Sequence, residues 1–142
     1  MNIDDISSLK KLIMDMRKSV IIPHINPDGD AIGSSLALMH LLNDNGHTSK
    51  IVSPNSIPDF LNWMPGFEKI LFYENEETKC SKIIYDAELI FTLDFNDLLR
   101  SGDMHQLISN SKSKIVLIDH HQNPKKYADL TFSDPKKGST SE

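Results

Sequence analysis

SVIIPHINPDGDAIGSSLA, residues 19–37, is the stretch of this sequence that decides its fold. The apolar run at positions 20–22 predicts a β-strand, and helical periodicity begins at Ala31. Turn-forming proline and glycine residues lie between the two patterns. The strand therefore leads through a tight loop into a helix, and Asp30 suits the N-cap position of that helix.

The loop between this strand and helix carries three potential metal ligands, His24, Asp28 and Asp30. Two carboxylates and an imidazole held together are electrostatically unfavourable unless a cation joins them. An EF-hand needs glycine and glutamate where Ala31 and Ala37 stand. A phosphate-binding loop of the Walker or dinucleotide type needs further glycines or a lysine before the helix. Both of these alternatives fail, whereas an ordinary surface turn, in which Asp-Gly-Asp is common, stays open. We interpret the loop as built around metal, and the choice depends on the rest of the chain.

Length and composition indicate one compact domain. The chain has 142 residues, of which 39% are hydrophobic and 25% charged, enough for a real core. Its net charge of -5 argues against a protein that binds long nucleic acid. The single Cys80 fits a reducing compartment. The sequence lacks both a basic leader and an apolar run of the roughly 20 residues that a membrane span needs, so we expect a cytoplasmic protein without a membrane partner.

Short apolar strands alternate with helical patterns along the chain, which predicts an α/β fold with a mostly parallel sheet covered by helices on both faces. Expected helices cover residues 5–18, 31–46, 78–87 and 103–109. Expected strands cover residues 19–23, 50–53, 70–73, 89–93 and 115–118. His47 follows Gly46, which suits a helix end, and we expect its side chain to be exposed.

Three of the expected strands end in acidic or histidine residues. The first leads into the His24 loop, the next ends in Asp94, and the last ends in Asp119, His120 and His121. Functional groups of open α/β sheets gather beyond the carboxyl ends of the strands, and parallel strands place those ends on one edge. We therefore expect these side chains to converge.

The convergent residues suit two cations that share a bridging carboxylate. Asp94 is the candidate bridge because it stands alone at its strand end. Oxygen and imidazole ligands favour Mn²⁺ first, with Mg²⁺ as the other choice, over thiolate-rich zinc sites. Two such ions can acidify water and hold the oxygens of a phosphoryl group during displacement. The expected reaction is phosphoester hydrolysis.

Taken together, these motifs resemble a known family. HINPDGD at residues 24–30, Asp94 after an apolar strand and DHH at residues 119–121 resemble the first three motifs of the DHH phosphoesterase superfamily. The resemblance covers nearly the whole chain and is strongest to the branch of bifunctional oligoribonucleases and 3'-phosphoadenosine 5'-phosphate phosphatases, also called nanoRNases. The segment at residues 138–140 also resembles this branch.

The resemblance implies roles for the metal ligands. His24 and Asp28 would bind one metal ion, and Asp30 and His120 would bind the other. Asp94 would bind both ions.

Three further residues are expected to serve catalysis or substrate binding. The resemblance implies that His121 contacts the substrate phosphate and that Asp119 orients the neighbouring imidazole. Arg100 follows Asp94 closely enough to meet a phosphate, and an exposed arginine at a helix start is the alternative.

The resemblance also implies that residues 1–142 form a DHH catalytic domain, incomplete at its C-terminus, with the carboxy-terminal substrate-binding domain outside the chain. Residues 139–142, STSE, have the form of a capping box and predict the start of a helix. We expect this polypeptide alone to bind at least one metal ion and to hydrolyse poorly.

The expected substrates are short oligoribonucleotides and small phosphorylated nucleotides such as 3'-phosphoadenosine 5'-phosphate. Relatives with the same motifs cleave pyrophosphate, polyphosphate or cyclic dinucleotides, and these activities remain alternatives. A non-catalytic metal-binding or nucleotide-binding fragment is the alternative from a different class. The sequence leaves the oligomeric state open, with a homodimer as one option.

Overall fold

A six-stranded sheet forms the centre of the computed structural model, which describes residues 3–142. Its strands are β1 (Lys18–Pro23), β2 (Thr48–Ser53), β3 (Leu71–Phe72), β4 (Leu89–Leu93), β5 (Lys114–Asp119) and β6 (Leu130–Ser133). The spatial order is β3-β2-β1-β4-β5-β6, and every neighbouring pair is parallel. The prediction of an α/β fold with a mostly parallel sheet is confirmed.

Within residues 3–142, α-helices cover both faces of the sheet. They are α1 (Ile3–Asp15), α2 (Gly29–Asp44), α3 (Glu77–Asp86) and α4 (His105–Ser109). Helices α1 and α2 pack on one face, whereas α3 and α4 pack on the other. Short 3-10 turns occupy Asp59–Leu61, Phe67–Lys69 and Leu98–Met104. None of the helices in this described part of the chain is long and apolar enough to cross a bilayer.

Strand β1 lies at the centre because both of its faces are apolar. Val20, Ile21 and Ile22 are completely buried. Ile21 faces α1 and α2, and its two neighbours face α3 and α4, as strand geometry requires. Burying each such side chain contributes about 1.5–3 kcal/mol. The loop that follows β1 therefore starts from a firmly held position.

The strand order reverses between β1 and β4. From β1 the chain moves outward to β2 and β3, then returns to β4 and continues to β5 and β6 on the other side. The crevice beyond the carboxyl ends of parallel strands at such a reversal is where α/β sheets bind ligands. The loops after β1 and β4 therefore flank the expected position of a site.

The first helix ends earlier than its apolar pattern predicts. The pattern extends to Lys18, but α1 ends at Asp15. The backbone N–H groups of Arg17 and Lys18 both donate to Oε2 of Glu88 at 2.9 Å. These bonds hold the start of β1 beside the start of β4, so the last part of the pattern belongs to the strand and not to the helix.

The prediction that Asp30 caps α2 was wrong. The helix begins at Gly29, and Asp28 is the N-cap, with an extended backbone (φ -97°, ψ -171°). Its Oδ1 accepts hydrogen bonds from the N–H groups of Asp30 and Ala31, each at 3.0 Å. The Asp30 side chain is therefore not needed for capping. The predicted helix end is confirmed, since Asn45 is the C-cap and Gly46 has φ +82°.

Two further features of the fold differ from the sequence-based expectations. Strand β6 was not predicted, because it is short and its four residues are half-buried or exposed at the edge of the sheet. His47 was expected to be exposed, but its side chain is buried near Ile13 and Arg17. Its burial depends on packing against residues distant in sequence, which local turn chemistry does not report.

Candidate metal centre

His24 leaves β1 with its imidazole directed at two carboxylates. Its Nδ1 donates to the carbonyl oxygen of Ile25 at 2.7 Å, which leaves Nε2 as the acceptor nitrogen. That Nε2 lies 3.6 Å from Oδ2 of Asp94 and 3.9 Å from Oδ1 of Asp28. A histidine fixed by a backbone carbonyl on one nitrogen and open on the other has the usual arrangement of a metal ligand.

The pKa of His24 is raised although the ring is buried. Burial is the largest influence and opposes protonation, as does the Arg100 charge, but the Asp94 side chain and the Ile25 carbonyl outweigh them. Protons therefore compete with a cation for Nε2, because a metal ligand must be the neutral imidazole.

Asp94 stands at the centre of the site. It directly follows β4 and has φ +66°, a left-handed conformation that aspartate tolerates better than most residues. Its N–H donates to the carbonyl of Ile118 at 3.0 Å, which holds the turn beside β5. The side chain is only 2% exposed. Such a conformation persists only where the surroundings impose it, and it is concentrated at functional sites.

The residues after β5 approach Asp94 from the other side. Nε2 of His120 lies 3.3 Å from Oδ1 of Asp94 and 3.6 Å from Oδ2 of Asp30. The His121 ring is tilted by 54° from the His120 ring, with 4.8 Å between the centroids. The two adjacent histidines therefore present different directions to the site.

Asp119 orients His121. Its side chain is completely buried, and its Oδ1 accepts a hydrogen bond from Nδ1 of His121 at 2.6 Å. Its Oδ2 is buried without a hydrogen-bond partner in the described part of the chain. The hydrogen bond directs Nε2 of His121 outward, where it lies 3.4 Å from Nη1 of Arg100.

Two groups of potential ligand atoms share Asp94. One group is His24, Asp28 and Asp94, and the other is Asp94, His120 and His121, with all atoms of each group within 4.8 Å of one another. The distances from the nearest nitrogens of the three histidines to the oxygens of Asp94 and Asp28 are 3.3–3.9 Å, longer than good hydrogen bonds. They suit atoms that approach a common small cation. The residues therefore fit a pair of divalent cations.

Asp30 is a further carboxylate of the site, beside His120. Burial would raise the pKa of its carboxyl group, but hydrogen bonds from Ser141 and Thr140 and the His120 charge lower it overall. The carboxylate is thus held in the ionised form that metal binding requires. The donors of the site are carboxylate oxygens, which suit Mg²⁺, Ca²⁺ and Mn²⁺, and imidazole nitrogens, which suit Zn²⁺ and other transition metals.

Arg100 links the loops on either side of the crevice. Its carbonyl accepts from the N–H of Ile25 at 2.7 Å, so the segment after β4 is tied to the loop after β1. Its guanidinium group contacts His121. Arg100 is the third residue of the 3-10 turn at Leu98–Met104 and is half-buried, so it lies near the start of a helical segment and also beside the site.

Sequence reasoning missed Thr140 and Ser141 as neighbours of the site. Both donate hydrogen bonds to its carboxylates. The capping-box interpretation of this segment also needs correction. In a capping box, the Glu142 carboxylate would accept a hydrogen bond from the N–H of Ser139. In the structure it accepts from the N–H of Gly138 instead, at 3.0 Å. The sequence signal for Thr140 was the resemblance of residues 138–140 to the family branch, which assigned no role to it, and Ser141 had no such signal.

Three curated proteins similar to this chain are described as bifunctional enzymes. The chain is 28% identical over 125 residues to a protein of Streptococcus mutans described as a probable bifunctional oligoribonuclease and PAP phosphatase NrnA, covering 87% of this chain and 36% of that protein. A Bacillus subtilis protein described as a bifunctional oligoribonuclease and PAP phosphatase NrnA is 27% identical, covering 84% of this chain and 34% of that protein. A Thermus thermophilus protein with the same description is 28% identical, covering 93% of this chain and 38% of that protein. The chain thus spans about a third of the length of these relatives.

Solved structures agree with the fold. An exopolyphosphatase-related protein from Bacteroides fragilis is 39% identical, with a TM-score of 0.95, over 96% of this chain and 40% of that one. A structure from work on sirtuin substrate affinity matches at a TM-score of 0.56 over 89% of this chain and 92% of its own, and at 10% identity it shares the fold alone.

The model of the "DHH family, N-terminal domain" matches residues 18–142. That match includes every carboxylate and histidine around Asp94, and the chain therefore belongs to the DHH phosphoesterase superfamily through this N-terminal domain.

Proposed function

We propose that this chain forms the metal-binding part of a phosphoesterase that hydrolyses short oligoribonucleotides and 3'-phosphoadenosine 5'-phosphate, with two divalent cations, Mn²⁺ first. The observation that carries the proposal is the position of Asp94, whose two oxygens face different histidines across the crevice. The descriptions of the three NrnA relatives support the choice of substrates.

The ligand roles are those that the family resemblance implies. His24 and Asp28 would hold one cation, Asp30 and His120 would hold the other, and Asp94 would hold both. The first set matches the group of His24, Asp28 and Asp94, whereas the second takes Asp30, 3.6 Å from His120, in place of His121. Bound there, the cations would supply positive charge to the phosphate oxygens and acidify the attacking water.

Arg100 and His121 would bind the phosphate group of the substrate. Asp119 fixes Nδ1 of His121, so Nε2 and the guanidinium of Arg100 form two adjacent polar contacts at the edge of the site. Charge-assisted hydrogen bonds from arginine to phosphate are strong and directional. These contacts would place the phosphorus atom over the carboxylates that hold the cations.

A net charge of -5 also fits small substrates. A long nucleic acid would need many cationic contacts, whereas one or two phosphates need only the local charge of the cations and Arg100. The proposal therefore concerns substrates of a few nucleotides.

Polyphosphate is the second candidate substrate, favoured by the exopolyphosphatase-related protein that is 39% identical to this chain. Its terminal phosphate would meet the same residues. The two candidates differ in whether the substrate contains a nucleoside.

Single-turnover assays with the protein in excess over substrate test these proposals. With Mn²⁺, we expect AMP from the diadenylate pApA and inorganic phosphate from 3'-phosphoadenosine 5'-phosphate, and no product from either with Asp94→Asn. Shortening of polyphosphate without these products would replace the nucleotide proposal by the second candidate. Mn²⁺ binding with no product from any substrate would favour a non-catalytic binding fragment and overturn the enzymatic proposal.

A further inference from the structure

The segment at residues 138–142 reaches the site from the far end of the chain. Thr140 N–H donates to Oδ2 of Asp30 at 2.7 Å, and Ser141 donates to Oδ1 of Asp30 from its N–H at 2.9 Å and from its hydroxyl at 2.7 Å. The Thr140 hydroxyl donates to Oδ1 of Asp94 at 2.9 Å. Four hydrogen bonds thus connect this segment to two carboxylates of the candidate metal centre.

The distribution of these bonds over Asp30 determines which oxygen faces the site. A carboxylate offers about four acceptor positions, two on each oxygen. Ser141 occupies Oδ1 with two donors, whereas Oδ2 accepts only the Thr140 N–H. The remaining acceptor position is therefore on Oδ2, the oxygen that lies 3.6 Å from Nε2 of His120.

The Thr140 hydroxyl has a comparable effect on Asp94. It contacts Oδ1, the oxygen near His120, and so opposes rotation of the Asp94 carboxylate away from His24 and His120. The other oxygen then stays directed at His24. A bridging carboxylate needs such an orientation, because each oxygen must serve a different cation.

We propose that Thr140 and Ser141 are positioning residues of the metal centre, which hold Asp30 and Asp94 in the orientation that cation binding requires. This inference rests on the proposed function, since it assumes that these carboxylates bind cations. Partners of this kind fix the direction of ligands and change metal affinity by about 10–100-fold when they are removed.

Calorimetric titration of the protein with Mn²⁺ tests the inference without any substrate. Thr140→Val removes the hydroxyl and keeps the shape of the side chain, whereas Thr140→Ser keeps the hydroxyl. Ser141→Ala removes one of three donors to Asp30. Ser139→Ala is the matched control, because Ser139 makes no hydrogen bond to either carboxylate among the described residues.

We expect about 10-fold weaker Mn²⁺ binding for Thr140→Val and for Ser141→Ala, and affinity within about twofold of wild type for Thr140→Ser and Ser139→Ala. Thermal unfolding in EDTA should be nearly the same for all variants, because a positioning role does not require a contribution to the metal-free fold.

Equal Mn²⁺ affinity of Thr140→Val and wild type would overturn the inference and leave the proposed function intact. Weak binding by Thr140→Val accompanied by an equal loss of metal-free stability would assign a purely structural role and overturn it as well. Failure of the wild-type protein to bind Mn²⁺ would overturn the proposed function, and this inference with it.

Discussion

Oδ2 of Asp94 lies 3.6 Å from Nε2 of His24, although the two residues leave different strands. The strands β1 and β4 are adjacent, and the chain changes direction between them. Their carboxyl ends therefore bring the carboxylate and the imidazole together at the point of reversal. The other Asp94 oxygen faces His120, so one buried side chain joins both halves of the candidate site.

Replacing Asp94 should remove cations from both halves of the site. We expect Asp94→Asn to weaken Mn²⁺ binding by more than the roughly 10–100-fold that loss of a ligand-orienting partner costs, since the amide lacks the charge that both cations share. Asparagine tolerates the positive φ of this position, whereas Asp94→Ala should also lose about 1 kcal/mol of folding stability. Calorimetry and urea denaturation measure the two effects. Asp103→Ala, at an exposed aspartate, is the control, and unchanged Mn²⁺ stoichiometry in Asp94→Asn would contradict the bridge.

Replacing Arg100 should weaken substrate binding and leave the cations in place. Arg100→Ala removes charge-assisted hydrogen bonds to the phosphate, and we expect KM for 3'-phosphoadenosine 5'-phosphate to rise about 10-fold. Arg100→Lys should recover only part of this loss, because an ammonium group cannot make a bidentate contact. Lys112→Ala removes a positive charge just before β5, at the opposite edge of the sheet, and should keep the wild-type KM. A lower Mn²⁺ affinity in Arg100→Ala would assign Arg100 to the metal centre instead.

Much of this site could be predicted because its main parts lie at strand ends. Apolar strands followed by acidic or histidine residues are visible in the sequence, and a parallel sheet must place such ends on one edge. The choice between Asp28 and Asp30 as the helix cap could not be made this way. Both are good caps two residues apart, and only the extended backbone at Asp28 decides between them.

The parts that could not be predicted depend on contacts between distant residues. Thr140 and Asp30 are 110 positions apart, and no local pattern reports their hydrogen bond. The burial of His47 likewise depends on packing near Ile13 and Arg17. Local propensity indicates which element forms, whereas the partner of a polar side chain depends on the assembled fold.

Two glycines with positive φ should respond differently to alanine. A Cβ on Gly46 (φ +82°) would meet no atom of the described residues within 4 Å, so Gly46→Ala should cost only the backbone strain, about 1 kcal/mol. A Cβ on Gly66 (φ +91°) would lie 2.8 Å from Nε2 of His40, which is hydrogen-bonded to the Pro65 carbonyl. We expect Gly66→Ala to lose a further 1–3 kcal/mol, roughly the cost of overpacking. Equal losses in urea denaturation would show that the His40 contact relaxes freely.

His47 should make the fold sensitive to acid. Burial lowers the pKa of its imidazole, and the Arg17 charge adds to this effect. The unfolded chain therefore takes up the proton more readily than the folded protein, so the stabilisation is complete above the ordinary pKa of about 6.5 and is lost as pH falls below it. Urea denaturation of metal-free wild type and His47→Leu between pH 7.5 and about 5 measures this. The variant should lose less stability over that range. Equal losses of the free energy of unfolding in wild type and His47→Leu would contradict the assignment of this acid sensitivity to His47.

Asp119 should serve catalysis at the expense of stability. Its Oδ1 holds His121, but its buried Oδ2 lacks a hydrogen-bond partner within residues 3–142, an arrangement that opposes folding. Asp119→Asn keeps an oxygen that can accept from Nδ1 of His121 and removes the buried charge. We therefore expect the metal-free variant to unfold at the same temperature as wild type or a higher one.

The same variant should hydrolyse 3'-phosphoadenosine 5'-phosphate about 10-fold more slowly, because an amide holds and polarises the imidazole less strongly than a carboxylate does. Its Mn²⁺ stoichiometry should be unchanged, since the Asp119 carboxylate contacts His121 and belongs to neither group of potential ligand atoms within residues 3–142. Thermal unfolding in EDTA, calorimetry and single-turnover rates measure the three quantities. A less stable variant with full activity would reverse both expectations and show that the Asp119 carboxylate stabilises the fold and does not orient His121 for catalysis.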